Sequence, residues 1–403
     1  MKKIILEVIL MKKQTDYRSI TFLCLAIGAV LFAMWTFTGQ WFWLENPYNS
    51  YILQAQAWKG GHLSLPENYS HLEIAIFNGK YYISFPPFPS YVMFPFVLLG
   101  FTNCDGLISF IFSLAGAVYA YKICEHFNID KMLSYILTLL LTIGSNWLFT
   151  AHTAWVWFIA QNMAFTLSLM AIYYALKKKC GLSLALWACA VGCRPLNALY
   201  LPVILYLIYD KDKTILENLK SKWKAFIPMT IIGLSYMVLN FARFHNPLEF
   251  GHNYLPEFTE AENGQFSFAY MGENIKNLFR MPAMSLKETW SYQDFNGTNI
   301  FLISPIFISY IIYTIYALKS RKSERILTFI ILGMIITELL CITAHRTMGG
   351  WQFGNRYTND VLPLVFLGIV SVSPNRKDNE IFNAVLLLLG FTINAIGSVL
   401  LYT

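Results

Sequence analysis

Apolar residues in this chain come in long runs separated by short polar punctuation, not in the alternation of a half-buried sheet. The runs lie near 19–40, 88–101, 106–121, 132–150, 155–176, 181–193, 196–209, 224–242, 299–318, 326–344, 359–373 and 381–402. A full membrane crossing takes about 20 apolar residues, with about 17 as the practical minimum. Most runs meet that length, while 88–101, 181–193 and 196–209 fall short. The pattern predicts an all-α polytopic membrane protein of about 11–13 transmembrane helices, organised as one domain over 1–403.

The polar intervals differ in kind. Short ones are basic: Lys2, Lys3, Lys12, Lys13 and Arg18 at the start, then Lys177-Lys178-Lys179, five lysines between 211 and 224, Lys319 to Arg325, and Arg376-Lys377. The positive-inside bias assigns all of these to the cytoplasm, and with them the N-terminus. The first run ends in Trp41-Phe42-Trp43 without a small-residue cleavage site, so it reads as a retained span. Two long loops, 41–87 and 243–298, then fall outside. From Lys177 onward the runs alternate consistently. Upstream, four runs separate the outer end of the first span from Lys177, where an odd number is required. The segment 88–101, short and carrying Pro89 and Pro95, is the run expected not to cross.

Within the first external loop, 46–60 reads as a helix lying on the membrane, with Tyr48, Ile52, Ala55 and Trp58 at helical spacing and Gly60-Gly61 after it. The stretch 74–83 reads as a hairpin turning on Asn78-Gly79.

Composition agrees with the pattern and narrows the function. Of 403 residues 56% are hydrophobic and only 13% charged, about half the usual charged share of soluble domains. The net charge of +7 comes from orienting lysine clusters, so it does not argue for nucleic acid as a partner. Seven cysteines are scattered, mostly in apolar runs, with neither a disulfide framework nor metal-ligand spacing. No cofactor or divalent metal is indicated, because hard cations need several oxygen ligands that the outer face does not cluster in sequence.

Four stretches carry a resemblance: "ENPYNSYILQAQAWKGGHLSLPENYSHLEIAIFNGKYYISFPPFPS", "GCRPLNALYLP", "HNPLEFGHNY" and "GGWQFGNRYTNDVLPL". Their order and shared sidedness resemble the GT-C superfamily of membrane glycosyltransferases, among them protein O-mannosyltransferases and aminoarabinose transferases, and closest an uncharacterised bacterial branch. The resemblance implies a first external loop of interfacial helices and transfer of a sugar from a polyprenyl-phosphate donor to a cell-envelope acceptor. It implies an external active site on a bacterial cytoplasmic membrane, with membrane lipids as partners.

That chemistry asks for a carboxylate near the acceptor hydroxyl and cations at the departing phosphate. In much of the superfamily an acid opens the first external loop; here that place falls on Asn46, which cannot act as a base. Glu73 and neighbouring Glu45 are the catalytic candidates. Arg356, Arg194 and Lys80 are the phosphate-binding candidates; Lys80 is considered because Phe85, not a lysine, precedes Pro86-Pro87. Asn46, Tyr82, Trp351, Tyr357 and Gln161 are candidates for sugar or acceptor contact. Gly349-Gly350 permits close backbone approach beside Arg356. Arg194, near a membrane boundary, needs a partner, for which a lipid phosphate or headgroup would serve. Related enzymes often place a second acid near His152, Gln161 and Asn162, and the sequence has none there. Glu338, inside a span, reads as distant from the outer motifs and held by a structural partner or a proton. The loop 243–298, with Glu257, Glu260 and Glu262, is expected to shape the acceptor side, and its sequon at Asn296 matters only in a glycosylating secretory pathway. A non-catalytic relative or a lipid-linked glycan flippase is the alternative; a small-molecule transporter would need charged pairs in several spans.

Overall fold

A computed structural model describes residues 16–281, 284–285, 291–292, 297–372 and 377–402. The lysines before Asp16, Arg376 and the sequon residue Asn296 lie outside them. Six described helices are long and apolar enough to span a membrane, and five shorter apolar helices accompany them. The chain is an integral, multi-pass membrane protein.

Helix ends meet at two levels. Helix α1 (Tyr17–Thr38) begins beside the C-terminus of α4 (Asp105–His126): the Asp16 amide donates to Glu125, and Lys131 pairs with Asp16 at 2.8 Å. This is the lysine-rich end. At the other end the Trp35 indole donates to the His152 carbonyl, and Asn46 donates to Asp105 and to the Ala154 carbonyl. Between these levels α4 descends, α5 (Lys131–Leu141) with the short α6 (Trp147–Ala151) returns, and α7 (Val156–Leu176) descends to the triple lysine. Three crossings therefore join the far end of α1 to Lys177, and the parity conflict disappears.

The run that does not cross is 88–101. Helix α2 (Ser50–Lys59) packs against α3 (Phe88–Leu98); Ser90 donates to the Tyr51 carbonyl and Lys59 to the Val97 carbonyl. The Phe88 amide donates to the Gly192 carbonyl, and by Asn103 the chain is back at Trp43. Helix α3 thus starts and finishes at the same end. Helix α2 begins at Ser50 and not at 46, because the Asn46 carboxamide accepts from the Tyr48 amide and shapes a turn around Pro47. The strands β1 (Ile74–Phe77) and β2 (Lys80–Ile83) form the expected hairpin, paired Ile74 to Ile83 and Phe77 to Lys80. Asn78 and Gly79 both have positive φ, 50° and 71°, as a type I′ turn requires.

The remaining helices alternate: α8 (Cys180–Val191); a 3₁₀ turn (Pro195–Tyr200) into α9 (Leu201–Ile208); α10 (Ile215–Lys222), on the lysine-rich side; and α11 (Phe226–Phe244). The second loop carries α12 (Pro256–Thr259) and α13 (Phe268–Phe279). After α14 (Ile300–Ile303), the helices α15 (Ile306–Ser320) and α16 (Arg325–Thr343) cross. A 3₁₀ turn (Arg356–Val361) into α17 (Leu362–Val370), then α18 (Lys377–Tyr402), complete eleven crossings among the described residues. Helix α17 is apolar all round because protein encloses it on every side; Leu362, Leu364, Val365, Phe366 and Leu367 are fully buried. Helix α1 instead leaves Leu25, Phe32 and Phe37 exposed on a lipid-facing flank.

Two crossings are short for a reason that matters to the site. Helix α8 has 12 residues and reaches only about 18 Å, against a hydrocarbon core of about 30 Å. The turn that follows, at Arg194, therefore ends a helix roughly 12 Å shorter than the hydrocarbon core. The 3₁₀ turn bearing Arg356 and Asp360 descends beside it.

Candidate functional site

Arg194 and Asp360 join these two turns. The Arg194 Nε and Nη2 both donate to Asp360 Oδ2, at 2.9 and 2.7 Å, and the Asp360 side chain is 1% exposed. Gln161 on α7 donates through one nitrogen to Asp360 Oδ1 and to the Arg356 carbonyl, at 3.1 and 2.8 Å. The Tyr200 hydroxyl donates to the Asp360 carbonyl. Each arrangement leaves no buried donor idle where an ion pair must survive in a low-dielectric setting.

Arg356 is held differently. Its Nε donates to the Gly349 carbonyl at 2.9 Å, and its backbone amide donates to Gln352 Oε1 at 2.7 Å. Gly349 has φ +114°, and a Cβ there would lie 3.2 Å from Arg356 Nε. Glycine is thus required both for the turn and for the guanidinium. Arg356 is 3% exposed and Nη1 has no partner. Its charge is met by π-faces: the guanidinium lies 4.7 Å from the Tyr357 ring centroid and 5.7 Å from that of Phe158. Arg194 lies 4.6 Å from the same Tyr357 ring, so one tyrosine joins the two cations.

Glu73 closes the site from the first loop. It is the residue before β1, half-buried, and accepts from the Trp157 indole at 2.9 Å. Burial pushes its carboxyl up to about 7; the nearby Arg356 and the Trp157 bond pull the other way, and Glu257 adds to the rise. The Tyr51 hydroxyl, buried and without a partner, senses both Arg194 and Glu73. His345 stands edge-on to Tyr357 at 5.5 Å, and burial together with His252, Arg194 and Arg356 holds it down to about 3, so it is neutral at pH 7. The second loop seals the hairpin: His252 Nδ1 meets the Ser84 carbonyl, and Gly251, at φ +106°, is packed where a Cβ would lie 3.1 Å from Ser84 Cα.

Of the residues singled out from sequence, Glu73, Arg356, Arg194, Gln161 and Tyr357 come together here. Trp351 borders the site, in an aromatic cluster with Trp155 at 5.1 Å and Tyr402 at 5.3 Å that also takes in Phe158 and Trp157. Tyr82 packs on Phe244 at 5.3 Å, away from the arginines. Lys80 is exposed at the hairpin turn. Glu45 and Asn46 line a separate cleft with Asp105 and His152. Asn46 donates to Asp105 Oδ2 at 2.6 Å, so an acid does stand beside the loop opening, supplied by α4.

Arg194 finds its partner in Asp360, which sequence reasoning passed over inside "NRYTNDVLPL". Glu338 is not remote: it is fully buried, neither oxygen has a hydrogen-bond partner, and it lies in the fields of Asp360 and Arg194. Glu338 is only five residues from the end of α16, which brings the levels together. Among the described residues no group of three or more His, Cys, Asp or Glu side chains is placed to hold a metal ion.

No protein-family model matches this chain, and no curated protein is similar to it in sequence. Among solved structures, ArnT from Cupriavidus metallidurans, crystallised with undecaprenyl phosphate bound, is similar over 95% of this chain and 77% of its own. The TM-score is 0.55 at 11% identity. That likeness establishes the fold: an all-α polytopic architecture shared with that protein.

Proposed function

We propose that this protein transfers a sugar from a polyprenyl-phosphate carrier to a cell-envelope acceptor, at the membrane face opposite the lysine-rich end. The observation that carries the proposal is Arg356: a buried guanidinium with a free Nη1, beside a second arginine and a carboxylate. Asp360 pairs with Arg194, so the Arg356 Nη1 is the donor left to meet a lipid phosphate. The short α8 would set the arginines low enough for a polyprenyl tail to remain in hydrocarbon while its phosphate reaches them. The fold it shares with ArnT, which was crystallised with undecaprenyl phosphate, supports the same donor class.

In this reading Glu73 takes the proton of the acceptor hydroxyl as its oxygen bonds to the anomeric carbon. The bond from that carbon to the phosphate oxygen breaks, and its electron pair leaves with the polyprenyl phosphate. Arg356 stabilises the growing negative charge, with Arg194 behind it. The lysine clusters support a reaction on the outer side of the cytoplasmic membrane.

The test is native mass spectrometry of the protein in nanodiscs with undecaprenyl phosphate, together with mass spectrometry of envelope glycans from cells carrying Glu73→Gln. Bound undecaprenyl phosphate that is lost in Arg356→Gln, and a glycan missing in Glu73→Gln, are expected. Wild-type protein that carries no polyprenyl phosphate overturns the proposal.

A further inference from the structure

The cleft at Glu45 is separate from the arginine site and opposite to it in charge. Its lining includes Gln40, Glu45, Asn46, Asp105, His152 and Thr153, with Trp41 and Trp155 as walls. Among the described residues two carboxylates and no Lys or Arg line it, so it disfavours a phosphate. His152 is 1% exposed, and neither ring nitrogen makes a well-aligned hydrogen bond, the Phe149 and Leu148 carbonyls being its nearest acceptors. Poorly partnered buried nitrogens are costly, and a ligand able both to donate and to accept would satisfy them.

The polar groups are fixed in advance. The Trp35 indole holds the His152 carbonyl at 2.6 Å, while Asn46 and the Gly106 amide hold the two Asp105 oxygens at 2.6 and 3.0 Å. Gly106 has no room for a side chain, since a Cβ would lie 1.9 Å from the Phe42 carbonyl oxygen. Loop and helix are thus locked together around the carboxylate. Trp155 of the cleft lies 4.7 Å from the Tyr48 ring, which lies 5.1 Å from that of Trp157, the partner of Glu73. The cleft is therefore joined to the site by packed aromatic rings.

The geometry points to a binding site for an uncharged, hydroxylated ligand, a glycan, held by Asp105 and His152 against the tryptophans. Carboxylate and imidazole accept and donate to sugar hydroxyls, and indole faces cover the apolar side of a pyranose or furanose ring. In the transfer proposed above, on which this role rests, the ligand is the acceptor. The donor phosphate and the acceptor thereby occupy pockets of opposite electrostatic sign.

The experiment is saturation-transfer NMR on the full chain in nanodiscs, using neutral methyl glycosides of hexoses and pentoses, with undecaprenyl phosphate binding measured in parallel. At least one glycoside is expected to receive saturation. Asp105→Asn and His152→Gln are expected to weaken it about tenfold, the loss of one hydrogen bond to a charged group, while undecaprenyl phosphate still binds. Arg356→Gln is expected to give the converse. If no glycoside binds, if both cleft variants bind as wild type, or if Arg356→Gln abolishes glycoside binding too, the inference falls. Should Asp105→Asn lose both ligands, Glu45→Gln at the exposed mouth decides, and unchanged glycoside binding there overturns the site. Glycoside binding that depends on Asp105, without undecaprenyl phosphate binding, sustains the cleft and defeats the donor proposal instead.

Discussion

Arg194 and Asp360, 166 residues apart in sequence, share two hydrogen bonds on a single carboxylate oxygen. Removing one partner leaves the other charged and buried. Asp360→Asn is expected to destabilise the protein by about 3–5 kcal/mol, the usual result of breaking a buried pair. Thermal unfolding in detergent measures it. Adding Arg194→Met to the same chain should recover part of the loss, because the orphaned charge is then gone as well.

Glu73 gives a pH signature. Its carboxyl titrates near 7 in the folded protein against an ordinary value of 4.5, raised by burial. As the base it acts ionised, so turnover should rise with pH to a plateau above about 7. Trp157→Phe removes a hydrogen bond that favours the ionised form, and should move that rise to higher pH.

The same shift acts on stability with the opposite trend. A carboxyl raised in the folded state stabilises fully below pH 4.5, and that contribution is lost as pH climbs through 7. Glu73→Gln removes the slope. Relative to wild type, its melting temperature should therefore be higher at pH 8 than at pH 4.5, as a pair of melting curves would show.

Lys80 and Arg356 should behave oppositely. Lys80, exposed at the hairpin turn, touches none of the site residues, and Lys80→Ala should leave transfer within about twofold, as an exposed surface change does. Arg356→Lys loses the planar fork that holds Gly349 and should lower undecaprenyl phosphate affinity by about tenfold or more. Titration in nanodiscs distinguishes the two.

Gly390 tests the packing behind the site. A Cβ there would lie 2.0 Å from the Gly144 carbonyl oxygen, backbone against backbone. Gly390→Ala must push α18 away from the break after α5, and should lower the melting temperature by several degrees, the effect of overpacking by about 1–3 kcal/mol.

The chain by itself determined what depends on local pattern. Long apolar runs dictate membrane helices, because unpaired backbone groups cannot remain in hydrocarbon. Lysine clusters mark one end, and Asn78-Gly79 sets the hairpin, since those residues accept positive φ at least cost. The proline-bearing run 88–101 was legible as the one that does not cross. The tertiary structure decided whatever depends on partners far away in sequence. The shortness of 181–193 was legible too, but only packing shows that Asp360 is the partner of Arg194. The same packing brings Glu338 into the field of that pair, and α4 supplies the acid that the loop opening lacks. Spans are specified by the solvent each residue must face, which sequence records. A buried charge is specified by the charge beside it, and that neighbour exists only once the helices have packed.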